Sequence, residues 1–264
     1  MGLNTEVQYL DLEGSTVAWT QEGTGPTVIW AHGLLGDTTS LERIGVFDWA
    51  PLAAGNRLVR YDARGHGRSS GEPNPDAFTF VSQADDFLAL ADVVEPTGTP
   101  LAAVGCSMGT ATILHAVLKR PSRFRRVVLT APPTAWETRR ARASSYTEAA
   151  DAIERMGEAA ATDLIERFPR PAIFAGVPGF TINVALRLVP TVLRGAGRSD
   201  LPEPESLRQV ALPVLILAWQ GDPAHPVTTA ERLAELIPHA QLSVADSLEQ
   251  VRGWNQRVVR FLAE

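Results

Sequence analysis

The feature that most restricts how this chain can fold is a five-residue motif, GCSMG, at residues 105–109. An apolar run starting at Leu101 precedes it, and a helical pattern begins near Ser107. This order predicts a strand, a sharp turn and a helix, with the serine at the apex of the turn. Glycines fit both flanking positions, because a side chain there would collide with the neighbouring strand or helix. A serine so placed still needs a base to accept its proton before it can act as a nucleophile.

The composition argues against several functional classes. The chain has 264 residues, a net charge of −6 and a pI of about 5.5, which argues against a nucleic-acid-binding surface. Cys106 is the only cysteine, so an intramolecular disulfide and a multi-cysteine metal site are both excluded. No apolar run approaches the ~18 residues of a membrane span, and residues 1–8 lack a signal-peptide pattern. We therefore expect a cytoplasmic protein; its arginine-rich, alanine-rich composition, with a single lysine, is typical of a GC-rich bacterial genome.

Short, almost wholly apolar segments alternate with helical patterns along most of the chain. Such strands indicate a parallel sheet that is covered by helices on both faces, which is an α/β fold. An N-terminal hairpin is predicted before them, at 7–12 and 16–19. The remaining predicted strands are 27–31, 58–61, 101–106, 126–131, 213–219 and 241–245, and the predicted helices are 80–94, 110–118, 228–237 and 248–262.

Residues 134–205 differ from the rest, because they show helical patterns interrupted by prolines and no good strand. This pattern predicts a helical cap inserted between two strands of a core that comprises residues 1–133 and 206–264. Such insertions commonly lie over the carboxyl edge of the sheet, where ligands bind. We expect most of the aromatic side chains of the insertion to pack it against the core; they are Trp136, Tyr146, Phe168, Phe174 and Phe180.

Four segments in sequence order resemble the α/β-hydrolase superfamily. AHGLLG at 31–36 is similar to the oxyanion loop, and DARGHGRS at 62–69 to the family segment Asp-x-Arg-Gly-His-Gly-x-Ser. The motif at 105–109 is similar to the nucleophile elbow, and GDPAHP at 221–226 to the loop that carries the acid. The resemblance covers nearly the whole chain. It implies a mostly parallel twisted sheet with helices on both faces and a helical cap insertion.

The resemblance also implies roles for individual residues. Ser107 would be the nucleophile, the N–H groups of Leu34 and Met108 would form the oxyanion hole, and Asp222 would orient a histidine. The alternatives are a serine that caps a helix and an aspartate that binds local N–H groups of its loop. Structural roles are implied for His32 and His66, which shape the oxyanion loop, and for Asp62, Arg64, Arg68 and Ser69, which hold the second segment together.

The chain departs from the family where the base is normally found. After the last predicted strand it reads DSLEQ at 246–250, without a histidine, and Asp246 or Ser247 is expected to cap the last helix. Among the five histidines, His225 is the candidate base, because it follows the strand that carries Asp222. We expect a spacing of three residues to be too short for the usual Asp–His geometry, so that His225 reaches Ser107 by a different route. The alternative is a loop histidine that packs at the surface.

Three functions are compatible with this sequence. The first is a hydrolase of a small carboxylic ester, thioester or lactone, in which His225 and Asp222 replace the usual pair. The second is a non-hydrolytic enzyme that uses the oxyanion hole for decarboxylation, elimination or cyclisation, and the third is a binding protein that has lost catalysis. We expect a small-molecule substrate with a carbonyl group, no cofactor, no bound metal, and neither a nucleic-acid nor a membrane partner.

Overall fold

A computed structural model describes residues 6–166 and 171–264. Its strands are β1 (Gln8–Leu12), β2 (Ser15–Glu22), β3 (Thr27–Ala31), β4 (Arg57–Tyr61), β5 (Leu101–Cys106), β6 (Phe124–Thr130), β7 (Val214–Trp219) and β8 (Ala240–Ala245). Its α-helices are α1 (Ser40–Arg43), α2 (Ala50–Ala53), α3 (Phe80–Val94), α4 (Met108–Lys119), α5 (Glu137–Met156), α6 (Glu158–Glu166), α7 (Val189–Gly197), α8 (Pro204–Leu207), α9 (Val227–Leu236), α10 (Leu248–Arg252) and α11 (Trp254–Ala263). Phe168 lies outside the described residues.

The eight described strands form one sheet in the order β1-β2-β4-β3-β5-β6-β7-β8. β1 and β2 form an antiparallel hairpin, β2 pairs antiparallel with β4, and all pairs from β4 to β8 are parallel. Strands β3, β5 and β7 are buried along their whole length, as expected for strands with helices on both faces. The α/β fold predicted from the apolar strands is therefore confirmed.

Helices cover the sheet on both sides and enclose two apolar clusters. Phe87 of α3, Ile113 of α4 and Leu233 of α9 belong to one cluster. Leu52 of α2 and Phe261 of α11 belong to the other. Burying large apolar side chains on both faces fixes the register of the strands, because a shift of one residue would turn each side chain to the opposite face.

The parallel register brings several loops to one edge of the sheet. Ala31 pairs with Gly105, Cys106 with Thr130 and Trp219 with Ala245, each pair at or next to a strand's carboxyl end. The loops that follow β3, β5, β6, β7 and β8 consequently leave the sheet on the same side. In open α/β sheets this is the side on which ligands bind.

The C-terminal helical segment differs in detail from the prediction. One helix was expected over 248–262, whereas the structure has α10 and α11, with Gly253 between them. Ser247 is the N-cap of α10, since its Oγ accepts a hydrogen bond from the N–H of Gln250 at 3.4 Å. Glycine has a low helix propensity, so a break at this position is physically reasonable.

Helices α5 to α8 lie between β6 and β7, and α5, α6 and α7 contribute to a third apolar cluster. Ile153 of α5 and Leu193 of α7 are buried in it together with Leu35 and Phe78, which lie outside residues 134–205. The division into a core and a cap at 134–205 stays a prediction, because this cluster crosses the proposed boundary. None of the helices in the described segments is long and apolar enough to cross a membrane.

Candidate active site

Ser107 sits at a strained turn between β5 and α4. Its φ of 53° and ψ of −109° are rarely adopted by a residue with a side chain. A Cβ at Gly105 would collide with the Gly109 backbone, and a Cβ at Gly109 would collide with the Ala31 carbonyl. The turn is fixed by the Ser107 N–H, which donates to the Thr130 carbonyl at 3.0 Å. The two glycines thus allow the close packing that holds the serine at the apex, as the motif predicts.

His225 lies directly against Ser107. Its Nε2 is 2.8 Å from the Ser107 Oγ, and its Nδ1 is 2.7 Å from Oδ2 of Asp222. When the Asp222 carboxylate is ionised, the His225 Nδ1–H donates to it, and the His225 Nε2 can accept the serine proton. Serine, imidazole and carboxylate therefore form one continuous chain of hydrogen bonds.

The expectation that a three-residue spacing would prevent the usual Asp–His contact is wrong. The loop after β7 turns sharply, and the His225 N–H donates to the Asp222 carbonyl at 3.2 Å. This turn brings the two side chains to the same side of the loop, where they meet directly. A pair of residues three apart can therefore supply the geometry that is more often built from two separate loops.

Three donors hold the Asp222 carboxylate. Besides His225, the Trp219 Nε1–H donates to Oδ2 at 2.9 Å and the Ala224 N–H donates to Oδ1 at 2.8 Å. Burial alone would raise the pKa of Asp222. The hydrogen bond and charge of His225, followed by Trp219 and Ala224, outweigh burial and lower this pKa to about 2. Asp222 is therefore ionised at neutral pH.

Two backbone N–H groups beside Ser107 are candidates for an oxyanion hole. Within the described residues, neither the Leu34 N–H nor the Met108 N–H has a hydrogen-bond partner. Met108 is the first residue of α4, so its N–H lies at the positive end of a helix. The loop that carries Leu34 borders the serine, since a Cβ at Gly33 would lie 3.5 Å from the Ser107 Cβ. Two free donors next to a serine hydroxyl can stabilise negative charge on a carbonyl oxygen.

Leu35, the next residue, is clamped on both sides. Its N–H donates to His66 Nε2 at 3.2 Å, and its carbonyl accepts the Asn183 N–H at 2.8 Å. Its φ of 62° is unusual for a leucine. These contacts assign the Leu35 N–H to His66 and leave the Leu34 N–H as the free donor. No sequence motif could have revealed the contact between Asn183 and Leu35.

His32 and His66 are buried and neutral. The Nε2 atom of His32 accepts the Ala63 N–H at 2.9 Å, and its Nδ1–H donates to the Gly33 carbonyl at 2.8 Å. Burial lowers the pKa of His32; burial and then the neighbouring His32 lower the pKa of His66 to about 3. Because each Nε2 is occupied by a backbone N–H, both rings support loops and neither is available as a base.

The segment after β4 is held by charged side chains, in agreement with the structural roles inferred from the sequence. Asp62 accepts the Thr38 N–H at 3.0 Å and the Arg68 Nε–H at 3.1 Å. Arg64 makes two hydrogen bonds with Asp86 at 2.9 and 2.7 Å. The Ser69 hydroxyl donates to the Asp62 carbonyl at 2.6 Å. None of these contacts involves Ser107 or His225.

The other histidines do not join the site. His115 on α4 has its Nε2 3.0 Å from the Asp200 carbonyl, and His239 is exposed before β8. No group of three acidic, cysteine or histidine side chains that could hold a metal ion occurs in the part of the chain that the structure describes. Among the aromatic residues of the insertion, Phe174 approaches the site, since its ring contacts that of Trp219 edge-on at 4.9 Å.

Sequence comparison identifies relatives of this chain. Residues 26–153 match a family described as alpha/beta hydrolase fold. The chain is 27% identical over 240 residues to a putative carbamate hydrolase, RutD, of Rhizobium rhizogenes, covering 81% of this chain and 87% of the relative. It is 27% identical over 218 residues to 3-oxoadipate enol-lactonase 2 of Acinetobacter baylyi, covering 76% of each. It spans only 33% of an epoxide hydrolase of Caballeronia sordidicola, with 32% identity over 114 residues, or 43% of this chain.

Structure comparison gives the same result at the level of the fold. A hydrolase from Pseudomonas aeruginosa superposes with a TM-score of 0.82 at 20% identity, over 99% of this chain and 100% of that chain. The α/β-hydrolase fold implied by the four sequence segments is thereby confirmed.

Proposed function

We propose that this chain, which has the α/β-hydrolase fold, hydrolyses a small carboxylic ester, thioester or lactone, with Ser107 as its nucleophile. In this proposal His225 is the general base, and Asp222 orients it and stabilises the positive charge that it gains. The observation that carries the proposal is the continuous hydrogen-bond chain from the Ser107 Oγ through His225 to Asp222. The 2.8 Å contact at Nε2 lies within the range that general-base catalysis requires, about 2.6–3.2 Å.

The proposed reaction begins when the Ser107 Oγ attacks the substrate carbonyl carbon and its proton passes to His225 Nε2. The carbonyl oxygen becomes an oxyanion and accepts hydrogen bonds from the Leu34 and Met108 N–H groups. When the tetrahedral intermediate collapses, the bond to the leaving oxygen or sulfur breaks. The proton on Nε2 then passes to that leaving group, and the acyl group remains on Ser107.

Water then completes the cycle by hydrolysing the acyl group from Ser107. His225 Nε2 accepts a proton from water as the water oxygen attacks the acyl carbon. The second intermediate collapses, the carboxylic acid leaves, and the proton returns to the Ser107 Oγ. Asp222 stays ionised throughout, because its three donors stabilise the carboxylate form. Its negative charge stabilises the imidazolium that forms twice in each cycle.

The named activities of the relatives favour an acyl substrate. Carbamates and enol-lactones both carry a carbonyl carbon bonded to a leaving heteroatom, the arrangement that a serine and two N–H donors can process. The absence of a histidine after β8 was the reason for considering a binding protein or a non-hydrolytic enzyme. An imidazole within hydrogen-bond distance of the serine hydroxyl removes that reason.

The test measures hydrolysis of short p-nitrophenyl esters and labelling by a fluorophosphonate probe. We expect Ser107→Ala to abolish both, because the nucleophile is lost. His225→Ala should lower kcat by on the order of 10³ or more, because the serine loses its base. His239→Ala is the matched control: it removes an exposed histidine and should leave both rates unchanged. Full activity of His225→Ala would contradict the proposed mechanism.

A further inference from the structure

Trp219 touches the candidate acid with the only polar atom of its side chain. It is the last residue of β7, and its indole Nε1–H donates to Asp222 Oδ2 at 2.9 Å. The same oxygen accepts the His225 Nδ1–H at 2.7 Å. The sequence motifs assign Trp219 no role, although its place immediately before the acid loop is visible in the sequence.

The donors on Asp222 act as a fork. The Trp219 Nε1–H holds Oδ2, and the Ala224 N–H holds Oδ1 at 2.8 Å. With these donors on both oxygens in addition to His225 on Oδ2, the carboxylate cannot rotate about its Cβ–Cγ bond without breaking a hydrogen bond. Oδ2 is therefore held in the position that the imidazole needs. If the indole donor were removed, the Ala224 N–H would be the one remaining donor, apart from His225, that opposes this rotation.

The indole itself is fixed by aromatic packing from three directions. Trp254 of α11 stacks on it with ring centroids 5.6 Å apart and planes at 14°. Phe174 of the insertion meets it edge-on at 4.9 Å, and the His225 ring meets it at 5.7 Å and 72°. Trp219 is 7% exposed, so its orientation is set by its neighbours rather than by solvent. A donor held this rigidly loses little conformational freedom when it binds the carboxylate.

We propose that Trp219 is a positioning residue of this hydrolase, which holds the Asp222 carboxylate against His225 through its indole N–H. The proposal rests on the proposed function, because it assigns Trp219 a role in the same Ser–His–Asp chain. This support matters because acid and base share one turn. Within the described residues, every hydrogen bond to the Asp222 carboxylate comes from residues 219–225.

Two variants at position 219 test the proposal in the full-length protein. Trp219→Phe removes the N–H together with one ring. Replacing Trp219 by β-(benzothiophen-3-yl)alanine keeps both rings and removes only the N–H donor, which keeps the test valid should the phenylalanine variant fail to fold. Trp49→Phe is the matched control, because it makes the same ring change in a buried tryptophan of the apolar cluster that also contains Trp219. Within the described residues the Trp49 Nε1–H has no hydrogen-bond partner, so this change removes no donor from Asp222.

We expect both variants at 219 to lower kcat, and the rate of fluorophosphonate labelling, by about tenfold, with KM within about twofold. The Trp49→Phe control should keep wild-type rates. The downfield proton resonance of His225 Nδ1–H should move upfield and broaden in both variants at 219 and stay in place in the control. Loss of packing alone would affect the control as well and would leave the isosteric variant unchanged.

Wild-type rates and an unchanged Nδ1–H resonance in the folded benzothienyl variant would overturn the role of Trp219 and leave the proposed hydrolase function intact. If the wild-type protein is neither labelled nor active, the proposed function fails instead. The resonance then still reports whether the indole N–H positions the Asp–His pair, because it can be observed without a substrate.

Discussion

At the scale of single residues, the candidate site combines groups that the sequence reveals with one contact that it conceals. Ser107 could be predicted because its glycine neighbours are dictated by a tight turn. The proposed role of Leu34 follows from its place in the loop motif. The sequence pointed to Asp222 and His225 as a pair, but their direct contact was not expected from the spacing, because it depends on the backbone path of a four-residue turn. A motif records which residues are present, whereas a turn decides where their side chains point.

Asp222→Asn tests the acid at this scale. The change keeps the size of the side chain but presents an amide N–H to His225, which favours the imidazole tautomer with its proton on the wrong nitrogen. We expect kcat for ester hydrolysis at neutral pH to fall by on the order of 10⁴. Asp246→Asn is the control, since Asp246 is exposed after β8 and should leave kcat unchanged. Equal activity of the two variants would show that Asp222 does not serve the base.

At the scale of elements, the strands of the sheet were predicted well, whereas the backbone contacts of residues 134–205 could not be predicted. Strands such as β3 and β5 are apolar throughout because both of their faces are buried, and this leaves a clear sequence signal. These backbone contacts leave no such signal. Residue 183 bonds to the loops after β3 and β4 through backbone atoms: its N–H donates to the Leu35 carbonyl, and its carbonyl accepts the Gly67 N–H at 2.6 Å. Backbone hydrogen bonds depend on conformation, so residue identity does not reveal them.

Two variants of Asn183 distinguish the effect of its backbone N–H on kcat from that of its side chain. Asn183→Pro removes the N–H that clamps Leu35, so the neighbouring Leu34 N–H should lose its fixed direction. We expect kcat to fall by about tenfold, the size of one lost hydrogen bond at the oxyanion loop. Asn183→Ala keeps the backbone N–H and loses only side-chain contacts such as that with Ser40 at 3.3 Å. The kcat of Asn183→Ala should stay within about twofold of the wild-type value. An equal loss of kcat in both variants would contradict the proposed effect of the Asn183 N–H.

At the scale of the whole molecule, two buried neutral histidines make folding sensitive to acid. The pKa of His32 is lowered by burial, and that of His66 falls to about 3. In the unfolded chain both rings take up a proton near pH 6.5, the ordinary value for histidine. Between about pH 6.5 and the lowered pKa values, the unfolded state thus binds more protons than the folded state. Stability is therefore greatest above pH 6.5 and decreases as the pH falls through this window.

His66→Gln tests this pH dependence. Glutamine does not titrate, and its side-chain oxygen can still accept the Leu35 N–H. The free energy of unfolding in urea, measured from pH 7 to pH 4, should fall by up to about 1.4 kcal/mol per pH unit for each buried histidine. In His66→Gln about one fewer proton is taken up on unfolding, so this slope should be smaller by up to about 1.4 kcal/mol per pH unit. A slope equal to that of the wild type would mean that His66 is already protonated in the folded state.

The shared loop of Asp222 and His225 also has a consequence for how such sequences can diverge. A single inserted or deleted residue between these two positions would rotate one side chain away from the other and uncouple them. The connection after β8 carries neither group, so only packing limits how its length can vary. Among close homologues, gaps should consequently accumulate at 246–247 and be missing from 222–225.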